Sequence, residues 1–350
     1  MDELTTSFPV INNRYQIFST IATGGMAVVY SAQDLMLERK VALKILKKEL
    51  SSDQAFQNKF RAEAKASAKL IHPNIITTFD FGFDGERLYI VMEFINGTDL
   101  KSIIKEKSDG LQLPQAINYL KQAASGLSYA HKSGFVHCDV KPHNMLVSKN
   151  RVLKITDFGI ARALDTISIE ERYDVVWGSP FYFSPEQASG MAPSPATDIY
   201  SLGVIAFELF TGDLPFVSDD ASELAEMHRT KKAPSMRAAR EDIPDSIDKL
   251  VLKCLSKEPQ KRYSTGTEML NDLIIVENQL KNTPGKPQIQ PKPIVSSPRQ
   301  IRSPKNTVGS LSRTNPKLIT LLLSIIALIL VGGLIPFYLY VIFTINTVNR

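Results

Sequence analysis

The first third of the chain alternates with a short period. Between Tyr15 and Glu93, the runs Tyr15–Thr23, Ala27–Asp34, Arg39–Leu46 and Arg87–Glu93 have the length and β-branched content of strands, and Gly24-Gly25 punctuates the first two. One segment interrupts them. Asp53–Leu70 carries Phe56, Phe60, Ala64 and Ser67 at helical spacing behind an acidic start, which predicts a helix. Beyond Gly97 the period turns helical. A helix is predicted from Pro114 to Gly134, with proline at its start and glycine at its stop. Thr197–Gly212 is apolar almost all round, so the helix it predicts must be buried. Further helices are expected over Ala221–Thr230, Pro244–Ser256 and Gly266–Leu280. The pattern predicts an α+β molecule: an N-terminal extension (1–13), then one domain (14–280) made of a small sheet-rich lobe (14–95) and a larger helical lobe (96–280).

The pattern changes again near the C-terminus. Residues 281–317 are rich in Pro, Ser, Lys and Arg and are expected to act as a linker without a packed core. Leu318–Asn349 then has no charged side chain, which exceeds the roughly 20 apolar residues that span a bilayer. A single membrane helix is expected over 318–343, kinked by Gly332, Gly333 and Pro336, with 344–350 as a short extracytoplasmic tail. Seven Lys or Arg lie between Asn282 and Lys317, and only Arg350 follows the apolar stretch. That asymmetry predicts a single-pass protein of the cell membrane with its N-terminal domain in the cytoplasm.

Charge and composition narrow the function classes. The formal net charge is +5, but the excess sits in the linker, which abuts the predicted membrane helix and lacks interleaved aromatics. Anionic lipid, and not nucleic acid, is the partner this placement predicts. The two cysteines, Cys138 and Cys254, exclude a disulfide framework and a multi-cysteine zinc site, and the five histidines show no ligand spacing.

Phosphoryl transfer from ATP needs a lysine and a metal ion on the phosphates, a carboxylate to orient the accepting hydroxyl, and backbone close to the phosphates. The chain offers these parts in order. IATGGMAVV (Ile21, Ala22, Thr23, Gly24, Gly25, Met26, Ala27, Val28, Val29) is a glycine-containing turn between strands. VALKIL puts Lys44 in an apolar strand, where it needs a partner that Glu63 on the predicted helix can supply. VHCDVKPHN supplies Asp139, Lys141 and Asn144, and ITDFGIA supplies Asp157. Alone, a Gly-Gly turn is more often a simple hairpin and an isolated DFG is common. The ordered set is far rarer.

With these motifs the chain resembles the protein kinase superfamily, specifically the eukaryotic-like serine/threonine protein kinases of bacteria. The resemblance runs from about Tyr15 to about Leu280 and includes HPNI, VMEF, GSPFYFSPEQ, DIYSLG and KEPQKRYS. It implies a bilobal protein-kinase fold, ATP and Mg2+ (with Mn2+ as a substitute) as cofactors, and protein substrates with Ser or Thr acceptors. It also admits a homodimer. Lys44, paired with Glu63, would hold the α- and β-phosphates. Asp139 would orient the substrate hydroxyl and Lys141 would steady the γ-phosphate. Asn144 and Asp157 would ligate the metal. The backbone of Glu93 and Ile95 would meet the adenine edge between Val29, Ala42 and Leu146, with Met92 at the back and Asp99 near the ribose. Glu186 and Arg262 would form a buried ion pair, and Asp198 would hold the backbone of the catalytic loop.

Three departures stand out. Ala22 and Ala27 replace two glycines of the usual GxGxxG. Cys138 stands where most such kinases carry an arginine that pairs with a phosphorylated activation segment, which makes this a non-RD type. Glu170 and Glu171 lie in the segment 160–177, where relatives tend to place phosphorylatable threonines, although Thr166 and Ser168 remain. A pseudokinase scaffold is the rival reading. Retention of Lys44, Glu63, Asp139, Lys141, Asn144 and Asp157 argues against it, since a scaffold has no physical need of all six.

Overall fold

The computed structural model describes residues 9–25, 27–51, 57, 68, 70–85, 87–158 and 180–282. The predicted helix over Asp53–Leu70 falls largely outside the described residues. The segment 160–177 and the predicted membrane helix lie outside them altogether. Among the described residues no helix is long and apolar enough to cross a membrane.

The N-terminal lobe is one antiparallel sheet of six strands: β1 (Val10–Ile11), β2 (Tyr15–Thr23), β3 (Ala27–Asp34), β4 (Arg39–Leu46), β5 (Thr78–Asp84) and β6 (Arg87–Glu93). Their spatial order is β1-β2-β3-β4-β6-β5. Because successive side chains on a strand point to opposite faces, β4 sorts its residues in two. Val41, Leu43 and Ile45 pack with Tyr15, Ile17 and Tyr89 on one face. Ala42 and Leu46 pack with Ala27, Leu88, Ile90 and Met92 on the other. Lys44 shares the parity of Ala42 and Leu46, so the strand's period aims it at that second face. A single-residue slip of register would put it among Leu43 and Ile45 instead.

The second lobe is helical. A three-stranded sheet, β7 (Gly97–Asp99), β8 (Met145–Ser148) and β9 (Leu153–Ile155), lies at its start. After the short α1 (Lys48–Ser51) in the first lobe come α2 (Leu100–Lys105), α3 (Leu113–Lys132), α4 (Pro185–Ala188), α5 (Pro195–Thr211), α6 (Ala221–Thr230), α7 (Asp245–Cys254) and α8 (Gly266–Asn282). Every residue of α5 from Ala196 to Thr211 is buried, as its apolar pattern requires. The helix starts two residues before the predicted Thr197, with Pro195 in the first turn, where its missing N–H costs nothing. Gly203 lets α7 come close, since a β-carbon there would lie 2.6 Å from Cβ of Cys254. At the C-terminal end Gly212 takes φ +84° and donates its N–H to the Glu208 carbonyl at 2.8 Å.

Candidate active site

The apolar end of the site forms where the two lobes' strands converge. Ala42 and Met92 are buried in one cluster, against which Val29, Ile95 and Leu146 pack while partly exposed. The four side chains expected around an adenine, Val29, Ala42, Met92 and Leu146, therefore belong to one apolar cluster, together with Ile95, whose backbone is expected at the adenine edge. Glu93, at the end of β6, donates its N–H to Thr77 O at 2.9 Å, and its carboxylate pairs with Lys154 Nζ at 2.9 Å, fixing the crossing strand to β9. Asp99 caps α2, accepting Ser102 N–H at 3.0 Å and Ser102 Oγ–H at 2.7 Å. Its expected place near a ribose thus coincides with a structural task.

Above this surface β2 and β3 form the glycine-containing hairpin, pairing Ala22 with Val29 and Thr23 with Val28. Gly24 donates its N–H to Ala27 O at 2.9 Å. Neither Gly24 nor Gly25 has a positive φ, so backbone freedom is not what calls for glycine there. A β-carbon on Gly25 would meet nothing within 4 Å, which leaves close approach of the backbone as the physical use of the residue. Met26 lies outside the described residues.

Lys44 Nζ contacts Asp157 Oδ1 at 2.7 Å, with the lysine side chain only 10% exposed. Burial on its own would raise the Asp157 carboxyl. The charge and hydrogen bond of Lys44, helped by His137 and Lys141, hold it below the usual carboxylate range instead. Asp157 is therefore an anion at neutral pH. Glu63, the expected partner of Lys44, lies outside the described residues.

The catalytic-loop sequence forms a closed set of hydrogen bonds. The Asp139 carboxylate accepts from Lys141 Nζ at 2.7 and 3.0 Å and from Asn144 Nδ2 at 2.9 Å. Asn144 Nδ2 also donates to Asp139 O at 2.9 Å. Both amide hydrogens of Asn144 are thereby used, which leaves its Oδ1 as the atom able to ligate a metal ion. Asp198 of α5 accepts the backbone N–H of His137 at 2.8 Å and of Cys138 at 2.9 Å. Cys138 and Asp157 take φ of +67° and +65°, a left-handed backbone that non-glycine residues keep only where the surroundings hold them.

Two contributors escaped the sequence reading. His137 is fully buried; its Nε2–H donates to Thr156 O at 2.9 Å and its Nδ1 accepts Asp139 N–H at 3.2 Å. It thus joins the loop of Asp139 to the strand that presents Asp157. Gln187 Nε2 donates to Cys138 O at 2.6 Å from 49 residues away. No local pattern announces either contact, because each exists only after the chain has folded. Beyond Gln187, Glu186 and Arg262 form a bidentate buried pair at 2.7 and 2.9 Å, and Thr197 Oγ1 donates to the same carboxylate at 2.9 Å. Tyr182 donates its hydroxyl to Glu208 Oε2 at 2.6 Å, and Lys101 closes on the other Glu208 oxygen. Gly178 and Ser179 lie outside the described residues.

Comparison with known proteins identifies the family. The family profile described as protein kinase domain matches residues 15–274. A probable serine/threonine-protein kinase of Clostridium acetobutylicum is 42% identical over 273 residues, covering 78% of this chain and 41% of the relative. Serine/threonine-protein kinase PrkC of Bacillus subtilis is 40% identical over 263 residues, covering 75% and 40%. PknA of Mycobacterium tuberculosis is 39% identical over 298 residues, covering 84% and 68%. The chain thus spans about two fifths of the length of the first two of these relatives. Among solved structures, the kinase domain of Mycobacterium tuberculosis PknI is similar with a TM-score of 0.63 at 25% identity, over 77% of this chain and 98% of that one. With a matching profile over most of its length, bacterial serine/threonine-protein kinases as relatives and the same two-lobed architecture, the chain belongs to the protein kinase domain family.

Proposed function

We propose that the chain is an ATP-dependent serine/threonine protein kinase that transfers the γ-phosphate to hydroxyls of protein substrates and to itself. The observation that carries this reading is the Asp139 carboxylate held by Lys141 and Asn144, taken together with the buried Lys44–Asp157 pair and the apolar cluster of Ala42 and Met92. Asp139 is placed to accept a hydrogen bond from an incoming hydroxyl and orient its lone pair. Lys44 and Lys141 bring fixed positive charge to where phosphate charge develops. A magnesium ion suits the donor set, because Asp157 is an anion and Asn144 Oδ1 is a hard oxygen, and this ion usually takes one or two protein ligands plus substrate phosphates. When bound, it neutralises phosphate charge. Among the described residues no three His, Cys, Asp or Glu side chains cluster to hold a metal without substrate.

Lys141, two residues after Asp139, supports Ser/Thr and not Tyr acceptors. Cys138 supports control without an arginine–phosphate pair, a non-RD arrangement. The chain's C-terminal part is the membrane portion of the proposal: a basic linker (281–317) facing anionic lipid and one bilayer crossing (318–343), with the kinase domain (14–280) cytoplasmic.

The test is phosphate transfer from labelled ATP with magnesium to a generic protein substrate. Asp139→Asn, Lys44→Met and Asp157→Ala should each lower the rate by about a hundredfold or more while leaving the melting temperature close to wild type. Equal transfer by Asp139→Asn and wild type would overturn the assignment. Absence of transfer from all forms would favour the pseudokinase scaffold.

A further inference from the structure

We propose that Gln187 is a positioning residue for phosphoryl transfer, fastening the end of the substrate-side segment to the peptide group that carries Asp139. The inference rests on the kinase reading above. Cys138 C=O and Asp139 N–H belong to one peptide plane. Its oxygen accepts Gln187 Nε2–H at 2.6 Å, and its N–H donates to His137 Nδ1 at 3.2 Å. The preceding plane is held by Asp198 Oδ1, which accepts Cys138 N–H at 2.9 Å. The two planes that flank the left-handed Cys138 are therefore both gripped, and that grip sets the direction in which Asp139 leaves the loop. A non-glycine residue in this conformation relaxes toward the right-handed or extended regions once one plane is released. Asp139 would swing with it.

The other end of Gln187 explains why its amide faces this way. Oε1 accepts Ser184 N–H at 3.1 Å, and the Gln187 backbone N–H donates to Ser184 Oγ at 3.2 Å, the reciprocal cap of α4. With the oxygen engaged in the cap, the nitrogen is left pointing at Cys138 O. The adjacent Glu186 is fixed to Arg262, so α4 is a rigid post. The coupling between this segment and the catalytic loop thus runs through peptide atoms and does not need an arginine at position 138.

A bland alternative is that Gln187 only caps α4. Gln187→Glu separates the two, since a carboxylate still accepts Ser184 N–H, as glutamate commonly does at this cap position, but has no hydrogen to give Cys138 O. Gln187→Met, of similar length and uncharged, controls for repulsion between carboxylate and carbonyl. In the full chain both variants should lower kcat by about tenfold while KM for ATP changes by less than about twofold, because the ATP surface is untouched. The Cys-Asp dipeptide occurs once in the sequence, so 13C-carbonyl cysteine with 15N-aspartate gives a single cross-peak for this peptide group. Loss of the hydrogen bond should move its carbonyl resonance upfield in both variants. An unchanged kcat in either variant, or an unmoved resonance, overturns the proposal. A wild-type chain that transfers no phosphate overturns the kinase reading instead, and the resonance alone then decides whether Gln187 grips the loop.

Discussion

His228 sits fully buried between Tyr200, Phe216 and Lys257. Its Nδ1 lies 3.1 Å from the Tyr200 hydroxyl, which in turn accepts from Lys257 Nζ at 3.2 Å. Burial first, and the Lys257 cation second, push the histidine down from 6.5 to about 4. The folded chain thus refuses a proton that the unfolded chain accepts, and between pH 6.5 and about 4 stability falls as pH falls. Wild type should lose roughly 2–3 kcal/mol across that window, and His228→Gln much less. Urea unfolding at about pH 7 and about pH 5 reads the difference; parallel losses in both proteins would remove His228 as the cause. At this scale the sequence was unevenly legible. Lys44 stands out because a charge interrupts an apolar strand, and Asp139, Asn144 and Asp157 because their spacing is a motif. Gln187 and His137 fall inside quoted motifs, but what each does shows only when folding brings its partners to it.

Helix ends give the element scale its sharpest constraint. Gly212 closes α5 in a left-handed conformation, and a β-carbon there would lie 2.4 Å from the Ser108 carbonyl oxygen. Gly212→Ala should therefore lower stability by roughly 2–4 kcal/mol, adding backbone strain to a contact that only backbone movement can relieve. Thermal unfolding of the variant checks this, and a melting temperature equal to wild type would show that the 108–110 turn yields freely. Sequence patterning found the long elements because each has one dominant period: β2, β3, β4 and β6 in the sheet, and α3, α5, α6, α7 and α8 among the helices. It did not find β7 and β8, at three and four residues too short to show a period. Nor did it separate β5, although FDFGFD alternates with a period of two and pairs with β6. The four-residue α4 is a product of its cap and of the Glu186–Arg262 pair, both tertiary facts.

For the molecule as a whole, the proposal joins a globular catalytic part to a basic linker and an apolar stretch. A chain ending at Asn282 should appear in the supernatant after cell fractionation and keep its transfer rate, while the full chain should stay with the membranes until detergent is added. Protease added outside intact cells should leave the kinase domain whole; its degradation would reverse the orientation. Position 138 carries a consequence of another kind. The contacts that shape the loop there include the residue's own N–H and C=O, taken by Asp198 and Gln187, and the thiol donates to Val136 O at 3.5 Å. A loop held by its peptide groups leaves its side chain open to drift. A lineage can exchange arginine for cysteine, or the reverse, in a single substitution without rebuilding the machinery around Asp139. How such an enzyme is switched on can then change between ancestor and descendant while what it catalyses stays the same.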